Sequence, residues 1–260
     1  MKRRVVALTC SNTEIVCALG CGEMLVAVDD HSDFPAEVVR TLPRVGPDLS
    51  VDVDRIASHG PDLVLASLSV PGHERVIENL SRKRLPFVAL EPRSLTDVYA
   101  NILEVARLLD VPERGRALVF NMQAELAPLA TAGPKPRLLL EWWPKPVIVP
   151  GRDSWVNQLF DAAGAENPLA ERPVKSTPLT DEDAAALLPD ASIISWCGVR
   201  VEKYRPDVVL RRAAWQHLEL VKQRRVFPIT EAWLGRPGPR LVEGARALRE
   251  VVRALSQPVR

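Results

Sequence analysis

Residues 112–129 read "PERGRALVFNMQAELAPL", and this stretch decides how the rest of the chain is organised. It has the composition of one helix, with a proline suited to the first turn, and "TAGPKP" follows it as a stop signal. On both sides of it, short apolar runs alternate with amphipathic helical patterns, which is typical of parallel sheets. We therefore predict an α/β protein of two Rossmann-like lobes with central parallel sheets, joined by a single long backbone helix.

The pattern places the first lobe at residues 1–111, the bridging helix at 112–133 and the second lobe at 134–260. The predicted strands are residues 4–8, 25–28, 62–66 and 86–89 in the first lobe, and 137–141, 147–149, 191–195 and 226–229 in the second. The predicted helices are residues 13–19, 52–58, 73–83 and 95–109, and then 154–163, 180–187 and 240–255. No glycine- or serine-rich tether separates the lobes, so we expect a nearly fixed angle between them.

Composition excludes several classes of partner. A formal charge of +1 provides no general attraction to nucleic acid or to anionic lipid. No apolar run approaches the roughly 18 residues of a membrane span, so we expect a soluble chain, acting as a monomer. The apolar run at residues 5–8 is shorter than a signal peptide requires. The protein is then either cytoplasmic, or periplasmic with an export signal removed ahead of Met1.

The predicted strand ends identify candidate ligand-binding residues, because ligands of open α/β sheets bind beyond the carboxyl ends of the strands. All six tryptophans lie in the second half, and five of them fall in such segments: Trp142, Trp143, Trp155, Trp196 and Trp233. Aromatic side chains left at a sheet edge forgo much of their burial energy unless something covers them. The cluster predicts a large, flat, partly apolar ligand.

Catalytic signatures are missing from the sequence. There is no GxSxG elbow, glycine-rich phosphate loop, HExxH or CxxC motif, and no two of the four histidines have metal-ligand spacing. We therefore predict no catalytic residue, no catalytic cofactor and no resident metal site. His31 alone falls in a strand-end loop, where it could reach a ligand or a metal centre. Cys17 and Cys21 could share a helical face, but the favoured interpretation is that they are small buried residues.

Several segments resemble class III substrate-binding proteins of ABC importers, which serve cobalamin, siderophores and heme. In the first half these are "RVVALTCSNTEIVCALGCGEMLVAVDDHSDFP", "LPRVG" and "DVDRIASHGPDLVLA". In the second half "EWWPKPVIVPGRDSWVNQLFDAAGAENP", "ISWCG" and "EAWLGRPGPRLVEGARAL" resemble the branch usually labelled cobalamin-binding. The resemblance implies a ligand held in a groove between the lobes with little hinge closure. It also implies docking to a membrane permease through one acidic residue on each lobe, which by position are Glu74 and Glu182.

The leading hypothesis is a non-enzymatic protein that binds a corrinoid such as cobalamin, a small-molecule metal chelate, and delivers it to an ABC importer permease. The predicted ligand-binding residues are Ser11, Asn12, His31, Trp142, Trp143, Arg152, Trp155, Trp196, Glu231, Trp233 and Arg236. The sequence departs from some cobalamin binders in having Ser67 and Ser176 where those proteins carry aromatic residues.

Three alternatives stay open. One is a binder of heme or of a ferric siderophore with the same fold. Another is a cytoplasmic carrier or sensor of corrinoids or tetrapyrroles. The third is an enzyme resembling the nitrogenase-like metal-cluster proteins, in which Cys10 and Cys197 would meet a metal from opposite lobes.

Overall fold

The computed structural model describes residues 2–130 and 133–257. The outermost positions of the predicted lobes (1 and 258–260) and residues 131–132 of the predicted bridging helix lie outside this range. The chain divides into two compact units: unit 1 comprises Met1–Pro92 with Thr96–Met122, and unit 2 comprises Arg93–Leu95 with Gln123–Arg260. Within the described ranges, no helix is both long enough and apolar enough to cross a bilayer.

Unit 1 contains a parallel sheet of four strands in the order β2-β1-β3-β4. The strands are β1 (Val5–Ala7), β2 (Leu25–Val28), β3 (Leu63–Ser67) and β4 (Phe87–Leu90). The side chains of β1 and β3 are buried on both faces, as expected for central strands that are covered by helices on each side. Because all four strands run the same way, the loops that follow them gather at one edge of the sheet.

Six helices belong to this half of the chain, and local signals are visible at the start of two of them. The six are α1 (Cys10–Ala18), α2 (Ala36–Val39), α3 (Val53–Ser58), α4 (His73–Arg82), α5 (Leu95–Leu108) and α6 (Pro112–Glu125). Asp52 caps α3, where its carboxylate accepts hydrogen bonds from the backbone N–H groups of Asp54 and Arg55. Gly72 precedes α4 at a φ of 103°, a left-handed conformation that glycine adopts without strain. Helix α6 passes from unit 1 to unit 2 between Met122 and Gln123.

Unit 2 contains two sheets. A parallel sheet in the order β10-β9-β5 is formed by β5 (Leu138–Glu141), β9 (Ala191–Ile194) and β10 (Val226–Pro228). An antiparallel sheet in the order β6-β7-β8 is formed by β6 (Trp143–Pro144), β7 (Val147–Pro150) and β8 (Ser176–Leu179). The helices are α7 (Val156–Ala163), α8 (Asp181–Ala186), α9 (Pro206–Leu210), α10 (Glu219–Lys222), α11 (Glu231–Leu234) and α12 (Leu241–Leu255).

The fold class predicted from the sequence is confirmed, but the structure corrects two local predictions. The helix predicted for residues 112–129 ends at Glu125, because Pro128 has no N–H to donate and disfavours helical geometry at Ala127. Strand β7 was expected within the parallel alternation, and it instead pairs antiparallel with both of its neighbours.

Strand β8 was missed because it contains Pro178, a residue found in strands mainly at sheet edges, and β8 is an edge strand. Strand β6 is only two residues long, and the four short helices α2, α9, α10 and α11 span fewer than two turns. Elements of this size leave no periodic pattern to read.

A buried ion pair holds the carboxyl end of β5. The Arg212 guanidinium donates to both carboxylate oxygens of Glu141, at 2.7 and 2.9 Å, and the Ser192 hydroxyl donates to one of them at 2.9 Å. The same guanidinium lies 3.2 Å from the Asp181 carboxylate at the start of α8 and 4.6 Å from the Trp215 ring centroid. Burial raises the pKa of Glu141, while the hydrogen bond and charge of Arg212 oppose that effect. Removing either partner leaves the other buried without compensation.

We expect Arg212→Met to lower the free energy of unfolding of unit 2 by about 3–5 kcal/mol, because Glu141 is left uncompensated in the core. The neighbouring Arg211 is the matched control, since its side chain is 83% exposed and its ion pair with Asp207 is long. Arg211→Met should change stability by less than about 1 kcal/mol. Denaturant unfolding followed by tryptophan fluorescence measures this, because all six tryptophans belong to unit 2. Equal effects of the two substitutions would contradict a structural role for the buried pair.

Candidate ligand-binding site

Backbone hydrogen bonds join the strand ends of unit 2 into one continuous edge. The Trp142 carbonyl accepts a hydrogen bond from the Cys197 N–H at 3.0 Å, so the residues after β5 and β9 remain paired beyond the strands themselves. The Trp142 N–H donates to the Ile148 carbonyl of β7 at 2.8 Å. Trp142 therefore lies where the parallel and antiparallel sheets of this unit meet.

Tyr204 links this edge to the segment that follows β10. Its hydroxyl donates to the Trp196 carbonyl at 3.0 Å and accepts from the Glu231 N–H at 3.2 Å. Its ring centroid lies 5.4 Å from that of Trp196, with the planes tilted by 51°. Burial raises the pKa of Tyr204, so the hydroxyl remains a donor. No sequence pattern identifies this residue, because it lies in an irregular loop after a short 3-10 turn.

The five strand-end tryptophans divide into two groups. Trp143 is 41% exposed, and Trp142 and Trp233 are half-buried. Trp155 is buried, and its indole N–H donates to the Leu234 carbonyl at 2.8 Å, so this side chain ties two loops of unit 2 together. Trp196 is only 5% exposed, yet its indole N–H has no acceptor within the described part of the chain.

The position of Trp233 depends on a glycine. A Cβ atom at Gly244 in α12 would collide with the Trp233 carbonyl oxygen, so α11 and α12 can approach this closely only without a side chain there. The close packing of α12 therefore fixes the short helix that carries Trp233.

The predicted charged residues occupy two separate loops of unit 2. The Asn157 side-chain amide donates to the carbonyls of Gly151, Arg152 and Ser154 at 2.9–3.1 Å, and these bonds fix the loop that presents Arg152. The Arg152 side chain is more than half exposed, 3.4 Å from the Asp153 carboxylate. In the second loop, the Arg236 guanidinium lies 3.3 Å from the Glu231 carboxylate, and both side chains are largely buried.

In unit 1, the predicted residues at the start of α1 serve the fold. The Asn12 side-chain amide is buried and donates to the carbonyls of Leu65 and Ala66 in β3, at 3.0 and 3.1 Å. The Ser11 hydroxyl is buried beside that of Thr9 at 3.1 Å. These contacts hold α1 against β3. The side chains of Ser11 and Asn12 therefore have little accessible surface with which to contact a ligand.

His31 is placed differently, on an exposed loop after β2. Its side chain is 57% exposed, and its Nε2 lies 3.9 Å from an Asp48 carboxylate oxygen. The other Asp48 oxygen lies 3.4 Å from Nε2 of the buried His73 at the start of α4. Burial alone would raise the pKa of Asp48, but the hydrogen bond and charge of His73 lower it, and His31 adds to that effect. The sequence analysis did not identify Asp48 or His73 as neighbours of His31.

Exposed apolar side chains also lie on the loops at this edge of unit 1. Phe34 follows His31 on the same loop, Leu49 follows Asp48, and Val70 lies in the loop after β3. The Ser67 side chain, where some cobalamin binders carry an aromatic, is buried and hydrogen-bonded to the Ser69 hydroxyl at 2.9 Å. The apolar surface is thus supplied by residues that the sequence analysis missed.

The cysteines do not form a metal site. Desolvation raises the pKa of Cys197 to about 12, with a further contribution from the Glu231 carboxylate, and burial raises that of Cys17 to about 11. Both thiols are therefore less readily ionised than a free cysteine. Across residues 2–130 and 133–257, no group of three or more His, Cys, Asp or Glu side chains is arranged to hold a metal ion.

The two predicted docking residues are exposed at helix starts. Glu74 lies in the first turn of α4, where its carboxylate accepts a hydrogen bond from the Gly72 N–H at 2.8 Å. Glu182 lies in the first turn of α8 between Asp181 and Asp183. The helix dipole favours a carboxylate at either position, independent of any partner.

The family model described as "Periplasmic binding protein" matches residues 5–232. The chain is 29% identical to the "Uncharacterized ABC transporter substrate-binding lipoprotein YvrC" of Bacillus subtilis, over 96% of this chain and 80% of that protein. It is 28% identical to the "Vitamin B12-binding protein" of Pectobacterium carotovorum, over 98% of this chain and 90% of the relative.

Solved structures show the same fold. The apo periplasmic heme-binding protein RhuT from Roseiflexus sp. RS-1 superposes with a TM-score of 0.79 at 27% identity, covering 98% of both chains. The periplasmic vitamin B12 binding protein BtuF of Vibrio cholerae gives a TM-score of 0.77 at 22% identity, again over 98% of both chains. The family match confirms both the predicted resemblance and the prediction that the protein binds a substrate without transforming it. The chain belongs to the periplasmic binding protein family.

Proposed function

We propose that this protein binds a corrinoid such as cobalamin and delivers it to the permease of an ABC importer. The observation that carries the proposal is the indole surface of unit 2, in which Trp143 is 41% exposed beside the half-buried Trp142. An indole of roughly 200 Å² left exposed to that extent forgoes about 2 kcal/mol of burial energy. A flat apolar ligand that covers it recovers this energy.

The polar groups of the same edge suit a macrocycle that carries amide side chains. Glu231 can accept from an amide N–H, and Arg152 is exposed for a phosphate oxygen. The naming of several relatives as vitamin B12-binding proteins supports this choice.

Heme is the second candidate. RhuT, described as heme-binding, is 27% identical to this chain over 98% of its length. Heme shares the flat apolar face of a corrin but carries two carboxylates in place of the amides. Arg152 and Arg236 suit carboxylates, whereas Glu231 would repel them.

We propose an extracytoplasmic location, which is supported by the description of the relative YvrC as a substrate-binding lipoprotein of an ABC transporter. We also propose that the protein acts as a monomer. Docking to the permease would use Glu74 and Glu182. A cavity of about 450 Å³ next to Glu182 supports this part of the proposal. Pro144, Pro146 and Pro178 contribute to its walls together with Lys145 and two acidic residues of the α8 start, which suits a partner segment that is largely apolar.

The ligand is tested by titrating the intact protein with cyanocobalamin, ferric heme and a ferric hydroxamate siderophore, each followed by quenching of tryptophan fluorescence. We expect saturable quenching by cyanocobalamin with the highest affinity of the three. A preference for heme or for the siderophore would replace the corrinoid with that ligand. No binding of any corrinoid would end the proposal in this form.

Removing the exposed indole should weaken binding. We expect Trp143→Ala to reduce cyanocobalamin affinity about 10- to 100-fold, because one stacked aromatic contact contributes about 1–3 kcal/mol. Phe120→Ala is the matched control, since Phe120 is an exposed aromatic on α6 in unit 1. Calorimetric titration measures both variants. Equal affinities for the two would show that Trp143 lies outside the site.

The hydroxyl of Tyr204 should matter for affinity as well as stability. We expect Tyr204→Phe to destabilise unit 2 by about 1–3 kcal/mol, because the Glu231 N–H and the Trp196 carbonyl lose their shared partner. Cyanocobalamin affinity should fall about 5-fold or more as these two loops separate. Tyr99→Phe is the control, because the hydroxyl of Tyr99 has no hydrogen bond among those described, and burial raises its pKa to about 12. A stability loss with unchanged affinity would separate Tyr204 from ligand binding.

Docking is tested by charge reversal. We expect Glu182→Lys, alone or with Glu74→Lys, to reduce complex formation with the cognate permease at least 10-fold and to leave cyanocobalamin affinity unchanged. The control is Glu250→Lys, which reverses another exposed carboxylate, on α12. The complex is measured by surface plasmon resonance with the permease in nanodiscs. Undiminished binding by the double variant would exclude these residues as docking sites.

A further inference from the structure

We propose that Arg172 is a further ligand-binding residue, which together with Arg152 holds an anionic group of the ligand, a phosphodiester or a carboxylate. This inference rests on the proposed function, since it assumes a macrocyclic ligand at the strand ends of unit 2. Arg172 does not follow a strand, because it lies in an irregular segment between α7 and β8. Backbone contacts nevertheless bring it beside the loop that carries Arg152.

Two loop segments of unit 2 are paired through their backbones. Residues 151–153 and 172–175 are joined by three backbone hydrogen bonds of 2.7–3.1 Å, and the shortest runs from the Arg152 N–H to the Arg172 carbonyl. A Cβ atom at Gly151 would lie only 2.5 Å from the Val174 carbonyl oxygen and 2.8 Å from that of Arg172, so this approach requires glycine. Paired backbones lie about 5 Å apart, so two arginine side chains that leave neighbouring positions can reach one anion.

An asparagine network holds both segments in place. The Asn167 side-chain amide donates to the last carbonyl of β7 at 3.1 Å and to the Asn157 side-chain oxygen at 2.9 Å. The Asn167 side-chain oxygen accepts from the Leu169 N–H at 3.0 Å, and the Leu169 carbonyl accepts from the Arg172 N–H at 3.0 Å. Since Asn157 also fixes the Arg152 loop, the backbones of both arginines are positioned before a ligand arrives. A site prepared in this way loses little conformational entropy on binding.

The charges of the paired segments favour an anion. Within residues 151–153 and 171–175, three of the five charged residues are basic: Arg152, Asp153, Glu171, Arg172 and Lys175. Nε of Arg152 lies 3.4 Å from the Asp153 carboxylate, which offsets the charge of this arginine. Arg172 is exposed, and its guanidinium makes no ion pair within residues 2–130 and 133–257. It therefore supplies a positive charge that Arg152 alone does not.

The paired segments begin where β7 ends, next to the strand that carries the exposed indole. Ile148 of β7 pairs with Trp143, and Arg152 follows Ile148 by four residues, which is roughly 14 Å of extended chain. A macrocycle that stacks on the indole then has its peripheral side chains within reach of the two arginines. Cobalamin carries its phosphodiester on such a side chain, and heme carries its carboxylates there. Guanidinium groups bind both kinds of anion through paired N–H···O hydrogen bonds.

The test compares cyanocobalamin with dicyanocobinamide, a corrinoid that lacks the nucleotide and its phosphate, by calorimetric titration of the intact protein. We expect Arg172→Gln to weaken cyanocobalamin binding at least 10-fold and to change dicyanocobinamide affinity less than 2-fold. Arg172→Lys should bind cyanocobalamin within about 3-fold of the parent, because a phosphate also accepts a lysine as a point charge. A merely structural role of Arg172 would weaken both corrinoids alike.

Arg211→Gln is the matched control, because Arg211 is an arginine of unit 2 whose side chain is 83% exposed. It should bind both corrinoids as the parent does. The inference is overturned if Arg172→Gln binds cyanocobalamin with the parent's affinity, or if it weakens the binding of both corrinoids equally.

Ferric heme and its dimethyl ester, which has no free carboxylate, separate this inference from the choice of a corrinoid. If the parent binds heme and no corrinoid, the corrinoid proposal falls. Weaker heme binding by Arg172→Gln with unchanged binding of the ester then supports the anion contact, and equal effects on both overturn it. If the parent binds none of the four probes, the inference and the proposed function fall together.

Discussion

The Glu141 carboxylate is fully buried at the end of β5, and two hydrogen bonds from the Arg212 guanidinium offset the free-energy cost of removing its charge from water. Trp142 follows Glu141 directly, so the position of the first indole depends on an ion pair in the core. Arg212 also reaches the Asp181 carboxylate and the Pro144 carbonyl. One guanidinium thus connects the end of the parallel sheet, the antiparallel sheet and the start of α8. A desolvated charge with four defined partners allows few alternative arrangements of these segments.

The strand ends of unit 2 that adjoin this ion pair are held in place by hydrogen bonds, yet they leave apolar side-chain area exposed to solvent. Tyr204 holds their loops through two hydrogen bonds to backbone groups of other segments, and Trp155 through one. Trp143, by contrast, keeps apolar area exposed. Binding sites prepared in this way lose little conformational entropy when the ligand arrives. The same reasoning applies to unit 1, where Asp48 is held by a buried histidine and His31 stays exposed.

Much of the fold follows from the sequence because its signals are local. Short apolar runs located all seven strands of the two parallel sheets, with ends that differ from the observed ones by at most one residue. The antiparallel sheet did not follow, because β8 contains a proline and β6 has two residues, and their pairing is set by contacts distant in sequence.

The site was only partly predictable for the same reason. Strand ends identified the indoles, but the sequence could not distinguish Trp155, whose N–H is used internally, from Trp143, which is exposed. Tyr204, Asp48 and His73 act through contacts between loops, and no spacing rule brings such residues together. The site residues remain a proposal that rests on this geometry.

The corrinoid site is tested most directly by locating cobalt with anomalous scattering in crystals grown with cyanocobalamin. We expect one strong cobalt peak whose corrin ring lies in contact with the indoles of Trp142 and Trp143. A cobalt peak elsewhere on the protein, with these indoles still facing solvent, would contradict it.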